Sequence, residues 1–263
     1  MHMQQRRRIV VKVGTSTVTH STGKINLRRI EQLARVLTDL KNMDHDVILV
    51  SSGAVAAGVG KLGLAERPKD IPSKQAVAAV GQCELMSIYD RLFSEYSCAT
   101  AQILLEGNVL QEPYHTHAVN TFGRLLEYGV LPIVNENDSV SVEELVIGDN
   151  DTLSAIVAEM TGSDLLIILT DIDGLYDKNP RTCEDARQLR VVPQITEEIR
   201  RMAGDSGTAR GTGGMVTKLT AAERATAAGI EVVIASGADP AVLYDIVEGH
   251  SIGTRFLARR TSD

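Results

Sequence analysis

The feature that most constrains this chain is an alternation, sustained almost from end to end. Short apolar, β-branched runs take turns with segments of helical period. Residues 9–13 (IVVKV), 47–50 (VILV), 100–105 (TAQILL), 130–134 (VLPIV), 165–169 (LLIIL) and 230–234 (IEVVI) read as strands. Helices are expected over 27–42, 73–96, 116–127, 152–160, 215–228 and 240–247. In the first of these, Leu27, Ile30, Leu33, Ala34, Leu37 and Leu40 fall on one face, and Asn26 stands where an N-cap belongs. The helix at 215–228 runs into Gly229, the usual residue just past a helix end. Runs such as LLIIL have no polar face, so their strands must be covered on both sides. The expectation is an α/β fold, a three-layer αβα sandwich around a mostly parallel central sheet. Residues 8–259 are read as one domain behind a short tail at 1–7, whose Met1-His2-Met3 looks like a cloning remnant. The glycine-rich stretch at 204–214 is read as a loop inside that domain.

Composition removes several functions. No apolar stretch approaches about 18 residues, which argues against a membrane span. A net charge of -7 and only 3% aromatic residues suit neither the phosphate backbone nor the bases of a nucleic acid. Cys83, Cys98 and Cys183 form no CxxC pair and read as reduced, inert packing residues. The N-terminus has basic residues without an apolar h-region, so it is not a secretory signal, and a cytoplasmic protein is expected.

In a parallel sheet, ligands bind beyond the carboxyl ends of the strands. Four such ends carry small, hydroxyl, amide or acidic residues: 12–16 (KVGTS), 51–54 (SSGA), 135–138 (NEND) and 170–174 (TDIDG). Gly58, Gly60 and Gly63 match G-x-G-x-x-G, but they lie well past the strand and close a helical segment, so a dinucleotide fold is not indicated. The P-loop pattern and the G-x-S-x-G elbow are both missing. His115 and His117 are spaced i, i+2 and point apart on a helix, and no residues are assigned to a metal.

Three features remain. The segment 211–218 (GTGGMVTK) joins close backbone approach to the free N–H groups of a helix start, an anion site in the making. Lys218 there opposes the helix dipole, a cost that an anionic ligand would reverse. Lys12 interrupts a strand that otherwise reads as buried; it is either a snorkelling side chain or a fixed charge beside Gly14. Asp149, Asn150 and Asp151 open a helix with more polar groups than one cap requires, and an extra carboxylate could align two lysines or hold a metal–phosphate group. Together these suit phosphoryl transfer without a P-loop.

The segments VVKVGTST (10–17), LVSSGAVAAG (49–58), IVNENDSV (133–140), IGDNDTLSA (147–155), LTDIDGLYDKNPR (169–181) and GTGGMVTK (211–218) resemble the amino-acid kinase superfamily, in the family's order and over about 8–257. The second, third and last are closest to the branch that phosphorylates the side-chain carboxylate of L-glutamate. The resemblance implies the amino-acid kinase fold, with an acceptor-binding N-terminal part and a nucleotide-binding C-terminal part. It implies that Lys12 and Lys218 act on the ATP phosphates and that Asp151 orients both. It places Ser52, Asp138 and Asn150 on glutamate, with Asn135 and Gly53 in a supporting rank. It places Thr170, Asp171, Thr212, Gly213, Gly214, Met215, Val216, Thr217 and Lys218 on the nucleotide. Mg²⁺ would arrive with ATP. Proline as a feedback inhibitor, with 106–120 as the segment involved, and a homo-oligomer, dimer or tetramer, are also implied. The RNA-binding PUA domain that many members carry at the C-terminus is not expected here, and Arg210 is bulkier than the small residues expected before the glycine motif. A different acceptor within the superfamily, or a catalytically silent sensor of ATP or proline, are the alternatives.

Overall fold

The structure is a computed structural model that describes residues 6–20, 22–140, 147–180, 182–204 and 214–259. Its elements run β1 (Arg8–Val13), α1 (Thr15–Val18), α2 (Leu27–Asn42), β2 (Asp46–Ser51), α3 (Ala54–Leu62), α4 (Ile71–Ser94) and β3 (Thr100–Leu105). After a 3₁₀ turn at Gly107–Leu110 come α5 (Tyr114–Glu127), β4 (Leu131–Glu136), α6 (Asn150–Met160), β5 (Leu165–Thr170) and β6 (Val191–Val192). The chain continues through α7 (Glu197–Gly204), α8 (Met215–Ala227), β7 (Glu231–Ser236), α9 (Val242–Val247) and β8 (Thr254–Phe256).

Every strand and helix expected from periodicity is present, with ends shifted by a few residues. Asn26 caps α2 as expected, its side chain accepting from the Arg29 N–H at 3.1 Å. Gly229 follows α8 with φ +80. The Gly58–Gly63 run does close a helix: Gly63 is the C-cap of α3. One cysteine reading is corrected: Cys98 is a buried packing residue, but Cys83 is exposed and Cys183 only partly buried.

The eight strands form one sheet in the order β3-β4-β2-β1-β5-β7-β8-β6, parallel except for β7 against β8. Side chains alternate across it. Val10, Ile48, Val50, Leu166 and Ile168 face one core with α6 and α8, whereas Ile9, Val11, Leu49, Ile167 and Leu169 face the other with α2 and α4. Both faces are therefore covered, which is why the central strands read as unbroken apolar runs. The chain passes from β1 to its neighbour β2, crosses to the edge strand β3, fills the gap with β4, and then returns to the other side of β1 with β5. That reversal opens a crevice at the carboxyl ends of β2, β1 and β5, the place where such sheets bind ligands.

Helices α3 and α4 pack unusually close. A Cβ on Gly58 would lie 2.0 Å from the Val77 carbonyl oxygen, and one on Gly81 would lie 1.7 Å from that of Ala54. Gly58 of the SSGAVAAG segment and Gly81 of α4 thus serve backbone-to-backbone contact, and that contact sets where α4 stands beside the crevice.

Candidate active site

The crevice holds a cavity of about 900 Å³. Lys12 and Gly14 after β1, Ser52 and Gly53 after β2, Asn135, Glu136 and Asp138 at β4, Asn150 and Asp151 on α6, Thr170 and Asp171 at β5, and Lys218 on α8 all line it.

Lys12 shares a strand face with Val10, and that face is packed by α6 and α8. Its side chain is not snorkelling: it is 7% exposed, and its Nζ lies 2.7 Å from Asp151 Oδ1. Lys218, 5% exposed in the first turn of α8, puts its Nζ 3.0 Å from Asp151 Oδ2. The Thr217 hydroxyl donates to the same oxygen at 2.9 Å. Burial alone would push the Asp151 carboxyl up, but the two ammonium groups outweigh it and hold it below the usual carboxylate range. Burial, and then Lys218 beside it, push Lys12 below an ordinary lysine, while Asp151 opposes them. Two positive charges and one negative leave a net positive centre out of water, where an arriving anion is strongly favoured. Gly14 stands directly beside that centre: a Cβ there would be in ordinary contact with Lys12 Nζ, at 3.5 Å.

The three polar residues that open α6 have three separate tasks. Asp149 is the N-cap, accepting from the Thr152 N–H at 2.9 Å. Asn150 Nδ2 donates to Ser52 Oγ and to Asn135 Oδ1, each at 2.8 Å. Asp151 takes the two lysines. Helices α1, α3 and α8 begin after Gly14, Gly53 and Gly214, which bring no side-chain cap, so their first N–H groups stay available to an anion. Gly53 holds φ +112, a conformation that turns the chain from Ser52 into α3.

Asp138 lies at the other end of the cavity. Burial, and then the neighbouring Glu136, raise its carboxyl to about 6, with Arg67 pulling the opposite way. Arg67 also lines the cavity. It stands in a stretch, 64–70, without periodicity or motif, so no local signal points to it.

Of the segment expected on the nucleotide, Gly214 caps α8, Met215 sits in the core at 5% exposure and Val216 faces outward. None of the three is among the cavity-lining residues. Thr217 reaches Asp151 rather than open space. Thr212, Gly213 and Arg210 lie outside the described residues. Thr170 and Asp171 line the cavity on the β5 side, joined by a 3.1 Å hydrogen bond from the Thr170 hydroxyl to Asp171 Oδ1.

Comparison with known proteins places this arrangement. Residues 7–236 match the model of the amino acid kinase family. A glutamate 5-kinase of Clostridium perfringens is 54% identical, with 98% of each chain covered. One of Clostridium tetani is 52% identical over 98% of this chain and 97% of its own. In structure, carbamate kinase from Giardia lamblia bound to AMP-PNP superposes with a TM-score of 0.69 at 18% identity, covering 97% of this chain and all of that one. By sequence and by fold, the chain belongs to the amino acid kinase family, on its glutamate 5-kinase branch.

Proposed function

We propose that this chain transfers the γ-phosphoryl group of ATP to the γ-carboxylate of L-glutamate. The products are L-glutamyl 5-phosphate and ADP, the first step of proline biosynthesis. The observation that carries the reading is the Lys12–Asp151–Lys218 triad at the junction of the two halves of the cavity. Close identity to proteins named glutamate 5-kinase supports the choice of acceptor.

The acceptor is bound on the β2, β4 and α6 side, by Ser52, Asn150 and Asp138. The nucleotide is bound on the β5 and α8 side, by Thr170, Asp171 and the 212–218 segment. A carboxylate is already ionised at neutral pH, so the nucleophile needs no general base. The obstacle is repulsion between two anions. Lys12 and Lys218 lower it by taking the charge of the transferring group, and Asp151 keeps both ammonium groups aimed before substrate arrives. The γ-carboxylate oxygen attacks the γ-phosphorus in line, the bond to the β–γ bridging oxygen breaks, and ADP leaves.

Mg²⁺ is the natural companion of ATP. Asp151 is committed to two lysines, and among the described residues the one close group of three metal-type ligands, Asp245, Glu248 and His250, lies outside the cavity lining. This donor set fits an ion carried in on the nucleotide and keeping most of its water, with Asp171 an exposed carboxylate on the cavity lining beside β5. Bound there, the ion neutralises phosphate charge.

Feedback by proline is part of the reading. It is supported by Glu106, at the head of the 106–120 segment, which accepts from Asn137 Nδ2 at 2.8 Å beside Asp138. A homo-oligomer and a cytoplasmic location complete it; no helix among the described residues is long and apolar enough to cross a membrane.

The test is ATP consumption with glutamate, acetylglutamate, aspartate and uridylate in turn, with hydroxylamine present to trap acyl phosphate. Hydroxamate from glutamate alone is the expected result. Turnover with another acceptor instead would overturn the assignment.

A further inference from the structure

A chain of hydrogen bonds runs from helix α4 to the acceptor end of the cavity. Asn135 Nδ2 donates to Gln82 Oε1 at 3.0 Å. Asn150 Nδ2 donates to Asn135 Oδ1 and to Ser52 Oγ, both at 2.8 Å. Asn135 is 4% exposed, so solvent does not supply it with alternative partners.

The direction of this chain decides what the cavity offers. An amide nitrogen has two protons to give, and Asn150 spends one on Asn135 and one on Ser52. Its own Oδ1 is left as an acceptor. Ser52, whose oxygen already receives a proton from Asn150, is left with its O–H to donate. The wall therefore presents one acceptor and one hydroxyl donor, a polarity that suits the ammonium and carboxylate groups of an amino acid.

Gln82, Asn135 and Asn150 are all amides, so the sense of each is tied to that of its neighbour in the chain. Gln82 ends the chain at α4: with its carbonyl oxygen accepting, Asn135 turns its nitrogen to α4 and its oxygen to Asn150. Gln82 is held there by the glycine contact of α3 on α4, because it follows Gly81 directly. It does not line the main cavity; it lies on the wall of an adjoining cavity of about 390 Å³.

We infer that Gln82 is a positioning residue for the acceptor amino acid, fixing through Asn135 the donor and acceptor sense of Asn150 and Ser52. The inference rests on glutamate being the acceptor. It concerns hydrogen-bond sense, not mere filling of space, and variants of similar size separate the two.

The experiment compares the unaltered chain with Gln82→Leu, which removes the acceptor, and Gln82→Glu, which keeps an oxygen acceptor at the same reach. KM for glutamate, KM for ATP and kcat are measured by hydroxamate formation, with thermal unfolding alongside. Losing one hydrogen bond of this kind corresponds to about a tenfold change in an equilibrium. Gln82→Leu is expected to raise KM for glutamate about tenfold while KM for ATP stays within about twofold, and Gln82→Glu is expected to restore most of the difference. If Gln82→Leu unfolds early, Gln82→Met, unbranched and of matching length, carries the same expectation. An apolar variant whose KM for glutamate stays within about twofold of the parent overturns the inference. So does a Gln82→Glu chain as impaired as the apolar one, or an equal rise in KM for both substrates. A parent chain that forms no glutamate hydroxamate instead overturns the acceptor assignment, a separate result.

Discussion

Lys12 on the central strand and Lys218 on a late helix hold opposite oxygens of one buried carboxylate, at 2.7 and 3.0 Å from Asp151. Neither ammonium needs to be recruited when ATP binds, because both are already aimed at a common point. Removing one preorganised group of this kind costs about 10²–10³ in rate, or roughly 3–4 kcal/mol. Lys12→Ala and Lys218→Ala should each lose that much kcat, with smaller changes in KM for glutamate. Steady-state kinetics decide it, and a variant with near-normal turnover removes its lysine from the mechanism.

Asp151→Asn tests the other side of the same arrangement. The substitution keeps the shape but leaves two buried ammonium groups without a counter-charge, and breaking a buried ion pair from one side costs about 3–5 kcal/mol. The chain should unfold at clearly lower temperature. Saturating ATP should recover much of the loss, since phosphate supplies the missing negative charge. The pH dependence has a definite sign. The Asp151 carboxyl lies below its ordinary value in the folded chain, so its contribution is complete above the ordinary carboxylate range and fades only as pH falls through the lowered value. Asp151→Asn should erase that part of the acid sensitivity, and calorimetry across pH measures it.

Local signals made most of this fold legible. Asn26 could be named as a cap because capping joins neighbours in sequence, and β5 because the unbroken apolar run LLIIL at 165–169 leaves no polar face. Short elements escaped: β6 has two residues, β8 has three including Arg255, and α1 has a single turn, too little for any period to register. In the site, Lys12, Asp151 and Lys218 stood out because each breaks a local rule, such as a charge in a buried strand or a cation at a helix start. Gln82 and Arg67 break none. A glutamine on a helix and an arginine in a loop are ordinary, and only the register of β4 and the α3–α4 contact bring the first of them to Asn135.

Asp138 gives the acceptor end its own pH response. Its carboxyl is raised to about 6 by burial and by Glu136, so it loses its charge just below neutral pH. With Asp138 placed on glutamate as proposed, only its charged form attracts the α-ammonium. KM for glutamate should therefore climb as pH falls below about 6, approaching tenfold per pH unit, while KM for ATP changes little. Asp138→Asn should hold KM for glutamate high and flat across that range. A break near 6 that survives in the variant would assign the titration to another group.

Two glycines in one helix should respond in opposite directions to the same substitution. Gly60 on α3 has nothing within 4 Å of where a Cβ would stand, so Gly60→Ala only trades backbone freedom for helix propensity. It should stabilise the chain by about 0.5–1 kcal/mol, or roughly 1–4 °C in Tm. At Gly58 the same methyl would meet the Val77 carbonyl oxygen at 2.0 Å, and backbone cannot rotate aside. Gly58→Ala should cost about 1–3 kcal/mol as α4 is pushed off α3. The displacement should also be felt at the acceptor site, because Ala54 and Val55 at the start of α3 line the cavity and Gln82 on α4 holds Asn135. KM for glutamate should rise in Gly58→Ala and stay unchanged in Gly60→Ala. Thermal unfolding of the pair with the glutamate kinetics checks both halves, and a Gly58→Ala chain as stable as the parent would mean that the close approach of the two helices is not what that glycine is for.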